Sequence, residues 1–447
     1  MSRVSMKENL TEIFYAALKA ADPCNAVKRA IRIEGDHLFA GDSVYGLKEY
    51  DRVIVAGAGK GTAPMAEVLE ELLGERIDEG VIIVKYGHTC PLKKIRQIEA
   101  SHPIPDEAGV KGTEDITKLL EKADEKTLVI CLLSGGGSAL LVSPADGITL
   151  KDKQVATDLL LKSGSTIDEL NAVRKHLSKV KGGRLAQIAY PATVLTLILS
   201  DVIGDRLDVI ASGPTAPDGS TFDDAIKVVD KYGIRNRLPE KIMTYLESGA
   251  AGKIPDTPKA GEDCFKKGST VIVGSLRQAI NAAWDTAHKL GFDTHTVTDK
   301  LQGEAREAAK YLAEIATMAK KTTKKRKRCL ISGGETTVTV RGNGTGGRNL
   351  ELALAFALAI EGVGGITMLS AGTDGTDGPT DAAGAIVDGE TGVMARKFGL
   401  DPAIYLENND SYNFFKRFDS LTGEKSHLIT GPTGTNVMDL QIIVMEK

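Results

Sequence analysis

The residues best suited to chemistry lie between positions 332 and 381, which read SGGETTVTVRGNGTGGRNLELALAFALAIEGVGGITMLSAGTDGTDGPTD. Two glycine-rich loops each follow an apolar, strand-like run, and a helix-like apolar segment separates them. One loop ends in Arg348-Asn349; the other carries Thr373 and the acids Asp374, Asp377 and Asp381. Glycines outside any periodic repeat let backbone N–H groups approach a ligand, and an arginine adds a planar fork of donors. Carboxylates beside such a loop have one common use, holding a divalent cation against phosphate. The pattern points to phosphoryl chemistry.

A second loop of this kind, GAGKGTAPM, follows the apolar run 53–56 and carries Lys60 between Gly59 and Gly61. It is not a P-loop, because that pattern requires a glycine where this chain has Ile54. The dinucleotide fingerprint fails as well: Gly57 and Gly59 fit, but Thr62 occupies the last glycine position. A short strand–loop–helix turn remains, presenting an ammonium near a helix N-terminus, which suits an anion. A lysine simply exposed on a turn is the alternative. Further strand ends lead into Ser134-Gly135-Gly136-Gly137-Ser138, into SDVIGDRLDVIASGPT with Asp201, Asp205, Arg206 and Asp208, and into GPTGTNVMD with Asp439. Tight turns need glycine anyway, so any one loop has a structural explanation. Repeated at successive strand ends with acids and bases, the loops read as parts of a site.

The acids do not match a calcium loop: ligands there recur every second residue and end in glutamate, whereas Asp374, Asp377 and Asp381 are spaced wider and Ala385 follows. Asp201, directly after TVLTLIL, is placed to face a ligand, with a solvated loop acid as the alternative. Asp218 and Asp223 fall at a helix start and suit capping. Asn171, Arg174, Lys175, His176 and Lys179 lie on or beside one helix; adjacent Arg174 and Lys175 cannot share a face, so only part of this basic group points inward. The seven histidines show no HxH or HxxxH spacing, which disfavours a transition-metal site.

The elements that must position these residues alternate between short apolar runs and helical periods. Strands are expected over 53–56, 81–84, 127–133, 193–199, 271–273, 329–331, 366–369 and 427–429, with helices over 64–73, 152–162, 276–290 and 304–319. This alternation predicts an α/β fold with parallel sheets covered on both faces and ligands at the carboxyl ends of strands. A length of 447 residues is too great for one core. The polar Gly/Pro-rich stretch SGAAGKIPDTPKAGED places a linker near residue 250, giving domains 1–250 and 251–447. Hydrophobic content of 42 %, charged content of 26 % and net charge -4 describe a soluble protein with no call for nucleic acid or membrane as partner. No apolar run reaches about 18 residues. Five scattered cysteines read as reduced thiols, and Cys131 and Cys329 fall in apolar runs where burial is expected; the expected location is cytoplasmic. The basic run KKTTKKRKR over 320–328 reads as a solvated turn.

The segments LSGGGSALL, NAVRKHLSKVKGGRLA, LSDVIGDRLDVIASGPT, GGRNLELAL, SAGTDGTDGPTDAAGA and GPTGTNVMDL closely resemble those of the glycerate 2-kinases whose C-terminal half is called the MOFRL domain. The resemblance runs in order from about Asn9 to the C-terminus. It implies ATP- and Mg2+-dependent phosphorylation of D-glycerate at its 2-hydroxyl, giving 2-phospho-D-glycerate and ADP in carbohydrate metabolism. It also implies an N-terminal Rossmann-like domain, a smaller C-terminal MOFRL domain and an active site in the cleft between them; closure is expected because the key bases lie in different halves and water must be excluded. Lys60 and Arg348 match the family's essential lysine and arginine, and Ser134–Ser138 resembles part of the nucleotide- or substrate-binding rim. Asp201 and Asp374 match acids of the cleft. On this basis Lys60 and Arg348 stabilise the transferring phosphoryl group, and Asp201 accepts the hydroxyl proton. Asp201, Asp374 and Asp377 are the candidates for Mg2+, and Arg174 or Lys179 holds the substrate carboxylate. Gly57, Gly59, Asn349 and Thr373 join the binding residues. Family members are often labelled hydroxypyruvate reductases; an NAD(P)H-dependent reductase of the usual kind needs the fingerprint that this chain lacks. A nucleotide-binding regulatory protein without turnover is the other competing class. The sequence leaves self-association open.

Overall fold

A computed structural model describes residues 3–322 and 327–446. Part of the basic run, 323–326, lies outside the described residues. The chain divides into two compact units: Pro23–Val273, and Gly274–Lys447 joined by the N-terminal helix Arg3–Ala21.

Strands buried on both faces organise the first unit. Thr127–Leu133 is buried at every residue, as is nearly all of Arg52–Ala58, the near-continuous apolar reading that a parallel sheet covered by helices produces. Across the sheet the order is Ile95–Ala100, Glu79–Lys85, Arg52–Ala58, Thr127–Leu133, Thr193–Leu199 and Ser269–Gly274. In chain order this is third, second, first, fourth, fifth, sixth, the Rossmann arrangement, and the registers between the first five are parallel. Helices Thr62–Leu73 and Glu107–Leu120 connect the strands. A helical layer of Leu150–Lys162, Ile167–His176, Phe222–Lys231 and Glu240–Ala250 packs around its own apolar cluster. Two features escaped the periodicity reading. Ile95–Ala100 is an edge strand of mixed polarity, and Ile31–Glu34, His37–Ala40 and Ser43–Gly46 form a small antiparallel sheet.

The division near residue 250 is corrected to 273/274. The Gly/Pro-rich stretch is not a free linker, because its polar side chains bind back onto the first unit. Asp256 meets His176 at 2.8 Å, Thr257 donates to Asp218 at 3.0 Å, and Lys259 donates to the Ser220 carbonyl. Ser269–Gly274 then completes the first sheet.

The second unit departs from the all-parallel expectation. Its sheet runs Asp293–Leu301, Lys327–Gly334, Asp439–Glu446, Ile366–Gly372, Gly384–Asp388 and His427–Leu428. Only the first pair is parallel; the C-terminal strand Asp439–Glu446 enters antiparallel to both neighbours. Arg3–Ala21 belongs here, where the Thr435 hydroxyl donates to the Ala21 carbonyl. Cys131 and Cys329 are buried as expected, and none of the five cysteines forms a disulfide. Among the described residues no helix is long and apolar enough to cross a membrane.

Candidate active site

In the first unit the strand order reverses between Arg52–Ala58 and Thr127–Leu133, which opens a crevice at their carboxyl ends. The loops after these strands are tied together. The Lys60 N–H donates to the Gly135 carbonyl (2.8 Å) and the Gly61 N–H to Ser134 Oγ (2.9 Å). Gly59 has φ 151°, and a Cβ there would strike Ser134. Gly57 and Gly137 lie against backbone of the opposite strand end. Gly57, Gly59 and Ser134 therefore join the loops. Thr62 closes the turn by donating to the Gly59 carbonyl (2.8 Å).

Gly135 and Gly136 bring the charged groups in close. A Cβ on Gly135 would lie 2.5 Å from Asp201 Oδ2, and one on Gly136 would lie 3.0 Å from the His102 ring and 3.3 Å from Lys60 Cε. Lys60, Asp201 and His102 thus converge around this turn, with His88 bonded to the Lys60 backbone. Among the described residues no acid forms an ion pair with the Lys60 ammonium. Burial raises the Asp201 carboxyl above its ordinary range, against the opposing pull of Lys60. Burial, then the charges of Lys60, Lys85 and His88, push His102 down to about 4. Sequence spacing missed both histidines because they are not near each other in the chain; the available signal was that each follows a strand, Glu79–Lys85 or Ile95–Ala100.

His102 supplies a prediction. Its folded pKa lies below the ordinary histidine value of 6.5, so on acidification the unfolded chain takes up this proton first. The resulting stability is present above 6.5 and lost as pH falls toward about 4. Lys60→Met removes one of the depressing charges and is expected to raise the His102 pKa, read by NMR titration of the ring protons.

The helix Ile167–His176 splits its basic residues as the face argument requires. Lys175 is buried on Asp218 (3.1 Å), while Arg174 projects elsewhere and is half-buried. Asp218 is therefore not a helix cap; it serves Lys175, Ser220 and Thr257, and Thr221 with Asp224 caps Phe222–Lys231. Lys179 is exposed and pairs with Asp146, so the structure does not bring it to Arg174. Ser138 exchanges a hydrogen bond with Ser212 (2.7 Å), and its carbonyl accepts from Lys181 (2.8 Å). Arg206 is spent on Asp208 and Asp168 near the surface.

In the second unit Arg348 opens the helix Arg348–Ala359 and forks onto Asp439, Nε to Oδ2 at 2.6 Å and Nη2 to Oδ1 at 2.9 Å. Its Nη1 meets Glu335 at 2.9 Å. Burial opposes the guanidinium charge, but the bonds to Asp439 and the charge of Glu335 outweigh it and hold its pKa above the ordinary value. Glu335 follows Lys327–Gly334 directly and was not singled out in the sequence.

The three acids of the 374–381 loop separate cleanly. Asp377 is buried and accepts from the N–H groups of Asn349 (3.0 Å) and Leu350 (2.8 Å), anchoring the start of the Arg348 helix. Burial pushes its carboxyl up to about 6. Asp377, expected among the metal candidates, here has both oxygens bonded to the start of the helix. Asp381 accepts from the Tyr412 hydroxyl (2.8 Å). Asp374 remains: Oδ1 takes the Thr376 N–H (3.1 Å) and also borders Gly372 beside Asp439, while Oδ2 has no hydrogen-bond partner among the described residues. Asn349 and Thr373, expected among the binding residues, make internal bonds. Asn349 links Asp377 with Ser370, and Thr373 donates to the Met438 carbonyl while accepting from the Val437 N–H. The glycines before Arg348 also have an internal reason. A Cβ on Gly342, Gly344, Gly346 or Gly347 would collide with Asn408, Asp410, Ser411 or Asp377, and the side chains of 408–410 bond the loop backbone.

Among the described residues no three His, Cys, Asp or Glu side chains group closely enough to hold a metal ion. Mg2+ bound with a nucleotide needs only one or two carboxylates, since phosphate and water complete its shell. Asp201 and Asp374 fit that smaller demand.

Residues 9–247 match a domain of unknown function (DUF4147), and residues 328–439 match the MOFRL family. The chain is 44 % identical over 441 residues to a D-glycerate 2-kinase of Thermotoga maritima, covering 98 % of each. It is 40 % identical to a putative hydroxypyruvate reductase of Agrobacterium vitis, covering 99 % of this chain and 95 % of that one. The crystal structure of a glycerate kinase from Thermotoga maritima superposes with TM-score 0.86 at 44 % identity, covering 99 % of this chain and 100 % of that one.

Proposed function

We infer the reaction from the family to which the chain belongs, that of the glycerate 2-kinases with a MOFRL domain. The chain transfers the γ-phosphoryl group of ATP to the 2-hydroxyl of D-glycerate, giving 2-phospho-D-glycerate and ADP. The observation that carries this reading is an ammonium with no ion-pair partner among the described residues, Lys60, beside a half-buried acid, Asp201, at the reversal of strand order. Phosphoryl transfer asks mainly for positioning and charge neutralisation, and Lys60 supplies a charge free to meet phosphate oxygens. Asp201, made more basic by burial, accepts the proton of the 2-hydroxyl as the new O–P bond forms and the bond to ADP breaks. Arg348 contributes through Nη1, whose present partner Glu335 is half-exposed and exchangeable for phosphate. Asp201 or Asp374 would hold Mg2+, which when bound neutralises charge on the nucleotide phosphates.

The reductase name carried by one relative is disfavoured by the turn itself. Thr62 fills the third fingerprint position and is used to close the loop. Incubation with Mg-ATP and D-glycerate is expected to release ADP in proportion to glycerate consumed, with no oxidation of NADH or NADPH by hydroxypyruvate. Cofactor oxidation without ADP release would overturn the reading.

A further inference from the structure

Behind the Ser134–Ser138 turn lies a group of basic side chains with no acidic partner among the described residues. Asn171 and Arg174, three residues apart, share a face of the helix Ile167–His176. Asn171 Oδ1 accepts from Ser212 (2.9 Å), Ser212 bonds Ser138 (2.7 Å), and the Ser138 carbonyl accepts from Lys181 Nζ (2.8 Å). Lys153 reaches the same helix end, donating to the Leu177 carbonyl at 3.2 Å. Lys153 and Lys181 are 5 % and 1 % exposed, yet both ammonium groups bond only carbonyl and hydroxyl oxygens. Among the described residues no acid pairs with Lys153, Arg174 or Lys181. Asn171, 3 % exposed, leaves its Nδ2 without a hydrogen-bond partner.

Such an arrangement is unfavourable by itself. Buried cations are ordinarily paired, and a buried amide donor is ordinarily bonded. Burial, with Arg174 alongside, pushes Lys153 down to about 7, and burial with both neighbours drives Lys181 well below the ordinary lysine range. A bound anion would offset all of these costs at once.

We propose that Asn171 and Arg174, backed by Lys153 and Lys181, form the seat for the carboxylate of the hydroxy-acid acceptor. The proposal rests on the kinase reading for the identity of that acid. A guanidinium and an amide are planar donors matched to a planar two-oxygen anion. The two ammonium groups, already tied to carbonyls, strengthen the field from behind. The Ser138–Ser212 hydrogen bond links the seat to the turn whose Gly135 and Gly136 border Asp201 and Lys60, and on the proposal the 2-hydroxyl of a seated 2-hydroxy acid faces that pair.

The test follows thermal unfolding without nucleotide, adding D-glycerate, glycerol or inorganic phosphate to the wild type, Arg174→Met, Arg174→Lys and Lys153→Met. D-glycerate is expected to raise the wild-type Tm, whereas glycerol and phosphate at equal concentration leave it unchanged. Both Arg174 variants lose the shift, and Arg174→Met raises the KM for D-glycerate on the order of 10- to 100-fold. The KM for ATP stays put. Lys153→Met, which removes a buried basic group that has no acidic partner among the described residues, is expected to keep or raise the ligand-free Tm while weakening D-glycerate. A D-glycerate shift that survives in both Arg174 variants overturns the proposal. So does a lower ligand-free Tm in Lys153→Met, or a phosphate shift that depends on Arg174. If D-glycerate stabilises through Arg174 but no ADP forms, the seat stands and the kinase reading fails.

Discussion

Lys60→Met is expected to lower turnover of D-glycerate on the order of 10²–10³-fold, the loss seen when one charge-stabilising donor is taken from a preorganised site. Among the described residues the ammonium makes no ion pair, so its removal costs the fold little. The surrounding turn is held by backbone bonds and by Ser134, none of which uses the Lys60 side chain. The Tm of the variant should therefore lie near that of the wild type. Steady-state kinetics beside a thermal melt separate the two effects. Near-normal turnover would remove Lys60 from the mechanism.

The second large effect belongs to Asp439. It is 1 % exposed and receives two of the three contacts that orient Arg348. Its backbone is fixed in a strand hydrogen-bonded on both sides, so neither partner can follow the other if one is lost. Asp439→Ala leaves Arg348 half-buried with only Glu335, and breaking a buried pair from one side is costly. Because Arg348 remains partly in solvent, the expected loss of unfolding free energy is about 2–4 kcal/mol rather than more. Activity is expected to fall on the order of 10²-fold as the fork loses its orientation. Arg348→Lys should keep much of the stability but not the activity, since an ammonium cannot make the paired bonds. Chemical denaturation of Asp439→Ala with a cost under about 0.5 kcal/mol, at the level of an ordinary surface substitution, would show that the pair carries no such role.

What the sequence made legible was governed by local rules. The strand 53–56 followed by GAGKG placed Lys60 at a strand end, and the α/β alternation predicted a sheet with ligands at such ends; where the strand order reverses came only from the structure. Arg174 and Lys175 diverge because adjacent helical residues must. What stayed hidden depended on partners distant in the chain. The spacing of Asp374, Asp377 and Asp381 gave no means to tell them apart. Asp377 differs only because the start of a helix some thirty residues earlier folds onto it. The glycines of 342–347 looked like a phosphate cradle, yet they make room for residues 408–411. The unit boundary failed for the same reason: the N-terminal helix packs with the C-terminal unit, and the polar stretch after residue 250 is pinned by His176 and Asp218. His102 carries no motif, and its significance lies in the charges that the fold gathers around it.

Transfer of phosphate to the 2-hydroxyl of glycerate at the Lys60 turn fixes where phosphorus appears in the product. The most direct test is 31P and 13C NMR of the product formed from Mg-ATP and D-glycerate by the wild type, with Lys60→Met run in parallel. Phosphorus coupled to the methine carbon C2 is expected in the wild type, with on the order of 10²-fold less of this product from the variant. Phosphorus on the C3 methylene, or equal yield from both proteins, would contradict it.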